Sequence, residues 1–439
     1  MNLRSHPYES YRASNGEWVD QTPSEWQEQR VKDLFRLVTD KAPVDNDHEL
    51  LSLYASIGVR PRKDLEARGN KASSTDGYWM VKKGDIVVNK LLAWMGSVGL
   101  SEYDGVTSPA YDVLRKTSKL VDVRYFSYLF RTEIAKQIFK RNSRGIMDMR
   151  LRLYFDKLGA ITVPVPPFST QRAIATYIDT KTAQIDRQID LLGQKATQYG
   201  KLKQSLISET VTRGLDKLVP LKDSGVEWVG NIPEHWVVQR IKEFSSIVNG
   251  ATPKSNVAEN WDGDLPWVTT DDLGKLSGKF ITETKRKLTE AGYASCGTTI
   301  CPAGSVVISG RAPIGHLGIL AIEASTNQGC KTLVINRRHA SSLFIYFCLM
   351  AAKSKLEALG RGTTFIELST KELGLFSLAF PPLEEQQAIA AHLDKQTSQM
   401  DRIIDQIHSQ IEKLKNLRKA LINDVVTGKI KVVSERQAV

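Results

Sequence analysis

Near the end of the chain, apolar residues recur at alternating steps of four and three: Met400, Ile404, Ile407, Ile411, Leu414, Leu421 and Val425. Arg418 is the one interruption, with Leu417 beside it. A stripe kept up over about four heptads predicts a long helix that pairs as a coiled coil. Positions 215 residues earlier repeat it in weaker form, at Ile185, Ile189, Leu192, Ala196, Tyr199, Lys203 and Leu206. Gly193 and Gly200 weaken that first copy by about 1 kcal/mol each against alanine. All sixteen prolines avoid the two windows Phe168–Val219 and Leu383 to the end. Each window opens directly after Pro-Pro and closes near glycine, at Gly214 and Gly428, as helix starts and stops do.

The intervening stretches, 17–165 and 227–380, carry a different pattern. Gly84-Asp85-Ile86-Val87-Val88 and Gly304-Ser305-Val306-Val307-Ile308 are apolar runs after turns and predict buried strands. Val123–Phe139 and Ser342–Leu359 predict helices with one apolar face. The expected fold is therefore mixed α/β, with two globular domains each followed by a long helix. The boundaries read as 1–167 for the first domain, 168–214 for the central helix, 215–382 for the second domain, 383–430 for the C-terminal helix and 431–439 for a tail. The chain must travel out and return, so the helices are expected to pair antiparallel. At 1.5 Å per residue, some 43 residues make a spacer of about 64 Å.

The halves are copies. Pro166-Pro167-Phe168-Ser169-Thr170-Gln171 through Ala175 returns as Pro381-Pro382-Leu383-Glu384-Glu385-Gln386 through Ala390, and the match runs on to Val211-Thr212 and Val426-Thr427. Glu17-Trp18-Val19, Pro23-x-x-Trp26 and Gln29-Arg30-x-Lys32 recur as Glu227-Trp228-Val229, Pro233-x-x-Trp236 and Gln239-Arg240-x-Lys242. Such a long period means duplicated domains in a pseudo-twofold object, not a solenoid. Edges and helices match, while the roughly 130 residues between them have drifted apart. A frame carrying two unlike heads suits binding two different things at a set separation.

Net charge of +11 favours a polyanionic partner. No apolar run reaches membrane-spanning length, and a cytoplasmic location is expected. Cys296, Cys301, Cys330 and Cys348 form no CxxC pair and read as small reduced hydrophobes, with no structural metal expected.

Catalytic patterns are weak. Val165-Pro166-Pro167-Phe168 has valine, and the second copy Phe380, where an adenine methyltransferase needs a polar group. Asp271 or Asp272 with Glu283-Thr284-Lys285 fits a loose nuclease pattern made of common surface residues. Gly310-Arg311-Ala312-Pro313-Ile314-Gly315 lacks the lysine and hydroxyl of a phosphate-binding loop. A self-contained nuclease or methyltransferase is the rival reading, and a coiled-coil scaffold without nucleic acid is a third.

Basic and small polar residues gather instead. Lys140-Arg141-Asn142-Ser143-Arg144-Gly145 with Arg150 and Arg152 forms one run, and Arg361-Gly362-Thr363-Thr364 takes the matching place in the second head. Asn89-Lys90, Trp94 and Ser97, and Ser309-Gly310-Arg311, follow the two central strands as candidate loop contacts. Arginine suits phosphates and guanine edges. The repeated acids Asp179, Asp186, Asp190 and Asp394, Asp401, Asp405 read as solvated or partner-facing stripes, whose repetition suggests two equivalent docking faces.

The chain resembles the DNA-specificity subunits of type I restriction–modification systems over nearly its whole length. The most specific segments are Lys222 to Trp236 and Pro381-Pro382-Leu383-Glu384-Glu385-Gln386, with Trp267–Asp272, Cys301–Gly315 and Thr326-Asn327-Gln328-Gly329 adding to them. The first domain departs at Gly16–Pro23, and at Phe168-Ser169-Thr170-Gln171, which lacks the acids that precede Gln386. The resemblance implies two target-recognition domains that each read half of a split, asymmetric duplex DNA target, with the paired helices as spacer. It implies two methyltransferase subunits docked on the helices and heads, restriction–translocase subunits completing the complex, and no catalysis by the chain itself. S-adenosylmethionine, magnesium and ATP would belong to those partners. The DNA-binding candidates are thus Lys90, Trp94, Ser97, Arg141, Arg144, Arg150, Arg311, Gln328, Lys331, Arg361, Thr363 and Thr364. The partner-binding candidates are Gln171, Asp179, Asp186, Gln386, Asp394 and Asp401.

Overall fold

The structure is a computed structural model that describes residues 7–54, 57–64, 75–146, 150–311, 313–362 and 366–432. Two units emerge. One joins Met1–Leu192 to Ser409–Val439, and the other is Gly193–His408. Each unit therefore holds one head and one half of each long helix.

The long helices run Phe168–Arg213 and Leu383–Val426. Both stop at a glycine in the left-handed region, Gly214 at φ 77° and Gly428 at φ 78°, a conformation that side-chain-bearing residues resist. Every heptad position is buried or half-buried, and Ile185, Ile407, Leu421 and Val425 are buried outright. In the first unit Ile174, Ile178 and Ile185 share a core with Leu421, Val425 and Val426, so the start of one helix meets the end of the other. In the second unit Ile207 and Val211 share a core with Ile389 and Leu393. Pairing is antiparallel in both.

The drifted middles keep one topology. In the first head an antiparallel sheet has the order Phe35–Leu37, Tyr111–Lys116, Ile86–Asn89, Val98–Leu100. In the second head Ser245–Asn249, Cys330–Ile335, Val306–Ser309 and Leu317–Leu320 stand in the corresponding order, with Phe280–Ile281 added in parallel at the edge. The predicted central strands are Ile86–Asn89 and Val306–Ser309, buried throughout. A two-stranded ribbon closes each head onto its helix, pairing Thr162–Val165 with Gln27–Arg30 and Ser377–Phe380 with Val237–Arg240. The heads differ in their additions. The first has the hairpin Leu51–Tyr54 with Gly58–Pro61, and the second a three-stranded sheet around Trp261–Val268.

Each predicted head helix is in fact two. Val123–Leu129 gives way to Glu133–Asn142 because the Thr132 hydroxyl accepts from Ala135 N and restarts the helix. Ser342–Ala351 is followed by Lys353–Ala358.

The repeated tryptophans lie beneath the Pro-Pro joints, Trp26 at 1% exposure and Trp236 at 0%. Trp236 Nε1 donates to Glu385 Oε1 at 3.1 Å. The first copy has Thr170 where Glu385 stands, and Trp26 Nε1 has no acceptor among the described residues. Trp26 is held instead by edge-on contacts with Tyr8 and Tyr125, at 5.6 and 6.4 Å between ring centroids.

Candidate nucleic-acid interface

In the second unit three loops are laced together by backbone hydrogen bonds. Gly310 N donates to Gly329 O, and Leu368 N donates to Gly310 O, both at 2.8 Å. Arg361 and Glu367 exchange both of their backbone bonds at 3.0 Å. Candidates far apart in sequence, Arg311, Gln328, Lys331 and Arg361, are thereby gathered. Arg311 Nε donates to Glu367 Oε2 at 3.1 Å, and Arg361 Nε lies 2.8 Å from Glu372 Oε1. Gln328 is exposed and accepts at Oε1 from the Thr252 hydroxyl. Thr363 and Thr364 lie outside the described residues.

Lys331 does not fit its expected role. It is 5% exposed, and its Nζ lies 3.2 Å from Asn249 Oδ1 and 3.5 Å from Glu367 Oε1. A buried ammonium held by two acceptors supports the loops from below and does not face a ligand.

In the first unit Leu153 N donates to Lys90 O at 2.9 Å, and Arg144 and Arg152 exchange backbone bonds. The basic run and the loop after the central strand are thus one cluster. Lys90 Nζ donates to Pro109 O at 2.7 Å and sits 3.4 Å from Asp112 Oδ1. Burial raises the Asp112 carboxyl above its ordinary range, with Lys90 opposing the shift. Arg141 and Arg144 are well exposed, though paired with Glu17 and Asp156, and Arg150 is exposed. Trp94 is half-buried under Lys140, whose Nζ is 5.2 Å from the ring centroid. Ser97 is a correction: at 2% exposure, on the turn into Val98–Leu100, it faces the interior.

The partner-binding set also needs correcting. Gln171 and Gln386 are 1% and 0% exposed. Gln386 Oε1 accepts from Ser341 N at 2.9 Å, and its Nε2 donates to Pro381 O at 2.9 Å and His339 O at 3.2 Å. Gln171 repeats this with Asp122 N, Pro166 O and Leu120 O. Both amides are buried and fasten head to helix, so neither is presented to another chain.

The acids are employed inside the chain as well. Asp179 meets Arg124 at 2.9 Å and accepts from the Tyr128 hydroxyl, and Asp394 meets Lys279 at 2.6 Å. Asp186 meets Arg418 at 3.1 Å, and Asp401 meets Lys203 at 2.6 Å. The last two pairs join one long helix to the other within their units. They are related by the repeat, and Arg418 is the very residue that interrupts the heptad stripe.

Asp272 of the loose nuclease pattern is committed to capping: Oδ2 accepts from Thr269 N at 2.8 Å and Oδ1 from Lys285 N at 3.2 Å. Asp271 pairs with Lys275. Among the described residues no three metal-ligating side chains gather. Sequence reasoning missed Glu367, Glu372, Asp112 and Asn249, which orient the candidates. Their signal was spatial: Glu367 and Asn249 lie far along the chain from the groups they hold, Asp112 sits on the strand paired with Ile86–Asn89, and Glu372 is brought to Arg361 by the loop that leads into its helix.

A family model for the type I restriction modification DNA specificity domain matches residues 23–195 and 233–413, more than half of the chain. The chain belongs to the type I restriction–modification DNA specificity family. Each match begins at a repeated Pro-x-x-Trp segment and ends within a long helix, so the family's unit is a head with its following helix. The MjaIX specificity subunit of Methanocaldococcus jannaschii is 32% identical over 190 residues, 43% of this chain and 43% of that relative's length. A solved structure titled as the basis of complex assembly and conformational transition of the type I R-M system aligns over 93% of this chain and 99% of its own, with TM-score 0.73 and 16% identity. The HsdS subunit of Thermoanaerobacter tengcongensis covers 93% and 98%, with TM-score 0.56 and 17% identity. Over 93% of the chain the fold is shared with these solved structures.

Proposed function

We propose that the chain is the DNA-reading subunit of a type I restriction–modification complex. Each head reads one half of a bipartite, asymmetric duplex target, and the paired helices set the distance between halves. One observation carries this reading: a single strand order on a single repeated frame ends in two unlike basic loop clusters, around Lys90 and Arg144 in one head and around Arg311 and Arg361 in the other. Lysine and arginine supply salt-sensitive phosphate binding, and loop side chains read base edges.

The chain is non-catalytic in this reading. Two methyltransferase subunits dock on it, flip the target adenine and transfer the methyl group, and restriction–translocase subunits complete the assembly. S-adenosylmethionine, magnesium and ATP are bound by those partners, in the cytoplasm. No helix among the described residues is long and apolar enough to cross a membrane.

The test is to assemble the full chain with methyltransferase subunits and map methylated adenines in a random-sequence library. A split motif with one spacer length is expected, and adding one heptad to both long helices should lengthen that spacer. Methyl transfer or cleavage by the chain alone would overturn the reading, as would a continuous, unsplit motif.

A further inference from the structure

The two heads differ beneath the loop that follows the central strand. In the first, Asp112 pairs opposite Val88, the third residue of that strand; in the second, Lys331 pairs opposite Ile308, also the third. Both side chains are buried, at 6% and 5% exposure, and they carry opposite charge. The consequences above them are opposite too. Asp112 draws the loop residue Lys90 down onto the head, where its ammonium is also held by Pro109 O. Lys331 attracts the Glu367 carboxylate, and Glu367 in turn grips Arg311 by Nε alone.

An arginine held at Nε keeps its other edge, Nη1 and Nη2, pointing away from its anchor. Neither atom of Arg311 has a partner among the described residues. Arg361 is held the same way, with Nε on Glu372, which the Ser369 hydroxyl fixes by donating at 2.9 Å. Two anchored forks thus stand on loops whose backbones are joined through Glu367.

We infer that Arg311 and Arg361 are the base-reading residues of the second head, that at least Arg311 reads a guanine in the major groove, and that Glu367 is its positioning residue. This rests on the proposed function. A paired Nη edge matches guanine O6 and N7, the commonest bidentate contact to a base. Lys90, tethered by Asp112 and Pro109 O, offers no such free edge, and the two half-sites are read by different chemistry.

The experiment uses the full chain with methyltransferase subunits and duplexes randomised over both half-sites, with bound sequences selected and counted. Wild type is expected to select a guanine in one half-site. Arg311→Ala and the charge-keeping Arg311→Lys are each expected to lower that preference by about tenfold or more at this one position, leaving the other half-site intact. Glu367→Gln is expected to blur the same position while binding to random duplex and its salt dependence stay as in wild type. If Arg311→Ala keeps the guanine preference, or weakens all sequences alike and flattens the salt slope, Arg311 is a phosphate contact and the inference is overturned. If wild type selects a split motif without guanine in either half, the inference alone falls. If wild type selects no sequence at all, the proposed function falls with it.

Discussion

Replacing Gln386 by alanine separates a staple from a docking surface. The side chain makes three hydrogen bonds to backbone groups at the joint of head and helix, with Ser341 N, Pro381 O and His339 O. Each contributes about 1 kcal/mol net, and the side chain is wholly buried, so water does not replace the lost partners without rearrangement. Gln386→Ala should therefore destabilise the second unit by about 3–4 kcal/mol, including the unfilled volume. For a unit of this size that corresponds to a melting shift of about 10 °C. Thermal unfolding followed at Trp236 and hydrogen exchange at the Ser341 amide both measure it. Gln386→Glu is the sharper control. A carboxylate there faces the carbonyl oxygens of Pro381 and His339, so the loss should be as large at neutral pH. Because protonation restores a donor, it should ease as pH falls. Stability within 1 kcal/mol of wild type for Gln386→Ala, together with lost methyltransferase binding, would refute the staple and restore a partner-facing role.

The helix-to-helix pair Asp401–Lys203 is partly exposed, so Asp401→Asn should cost no more than about 1 kcal/mol in denaturant titration, shrinking in high salt, and the swap Asp401→Lys with Lys203→Asp should recover most of it. Thr170→Glu should give the buried Trp26 Nε1 the carboxylate that Trp236 has, stabilising the first unit by about 1 kcal/mol in denaturant titration. Burial pushes the Cys330 thiol up to about 12. At pH 8 a thiol reagent should label partly exposed Cys296 well before Cys330, as mass spectrometry of the labelled chain would report. The same shift favours the neutral thiol in the folded chain. Its contribution to stability is complete below the unfolded thiol's pKa of about 8.5 and is lost as pH rises from there toward 12. A Cβ on Gly250 would collide with Asn327 O, so Gly250→Ala should part the Gln328 loop from its neighbour and weaken selection at the second half-site only.

The long helices and the repeat were legible because their signals are local. A heptad stripe, a Pro-Pro start and a glycine stop each act within a few residues, and the helix ends fall at Arg213 and Val426, close to the predicted ends. The central strands were legible for the same reason, as short apolar runs after a turn. The shared strand order was not, since pairing sets Cys330–Ile335 between Ser245–Asn249 and Val306–Ser309 irrespective of their order in the chain.

Charge roles were the least legible. Asp186 and Asp401 look like an exposed stripe until Arg418 and Lys203 arrive from the other helix, and Lys331 looks like a ligand contact until strand pairing buries it. A sequence states which residues carry charge and how far apart they lie along one element. Whether a charge meets water, DNA or a partner side chain depends on contacts between distant segments, and those exist only once the core has closed. Here local patterns along the chain were enough for the frame and its duplication, whereas packing between distant segments chose which charged groups hold the frame together and which are left to face outward.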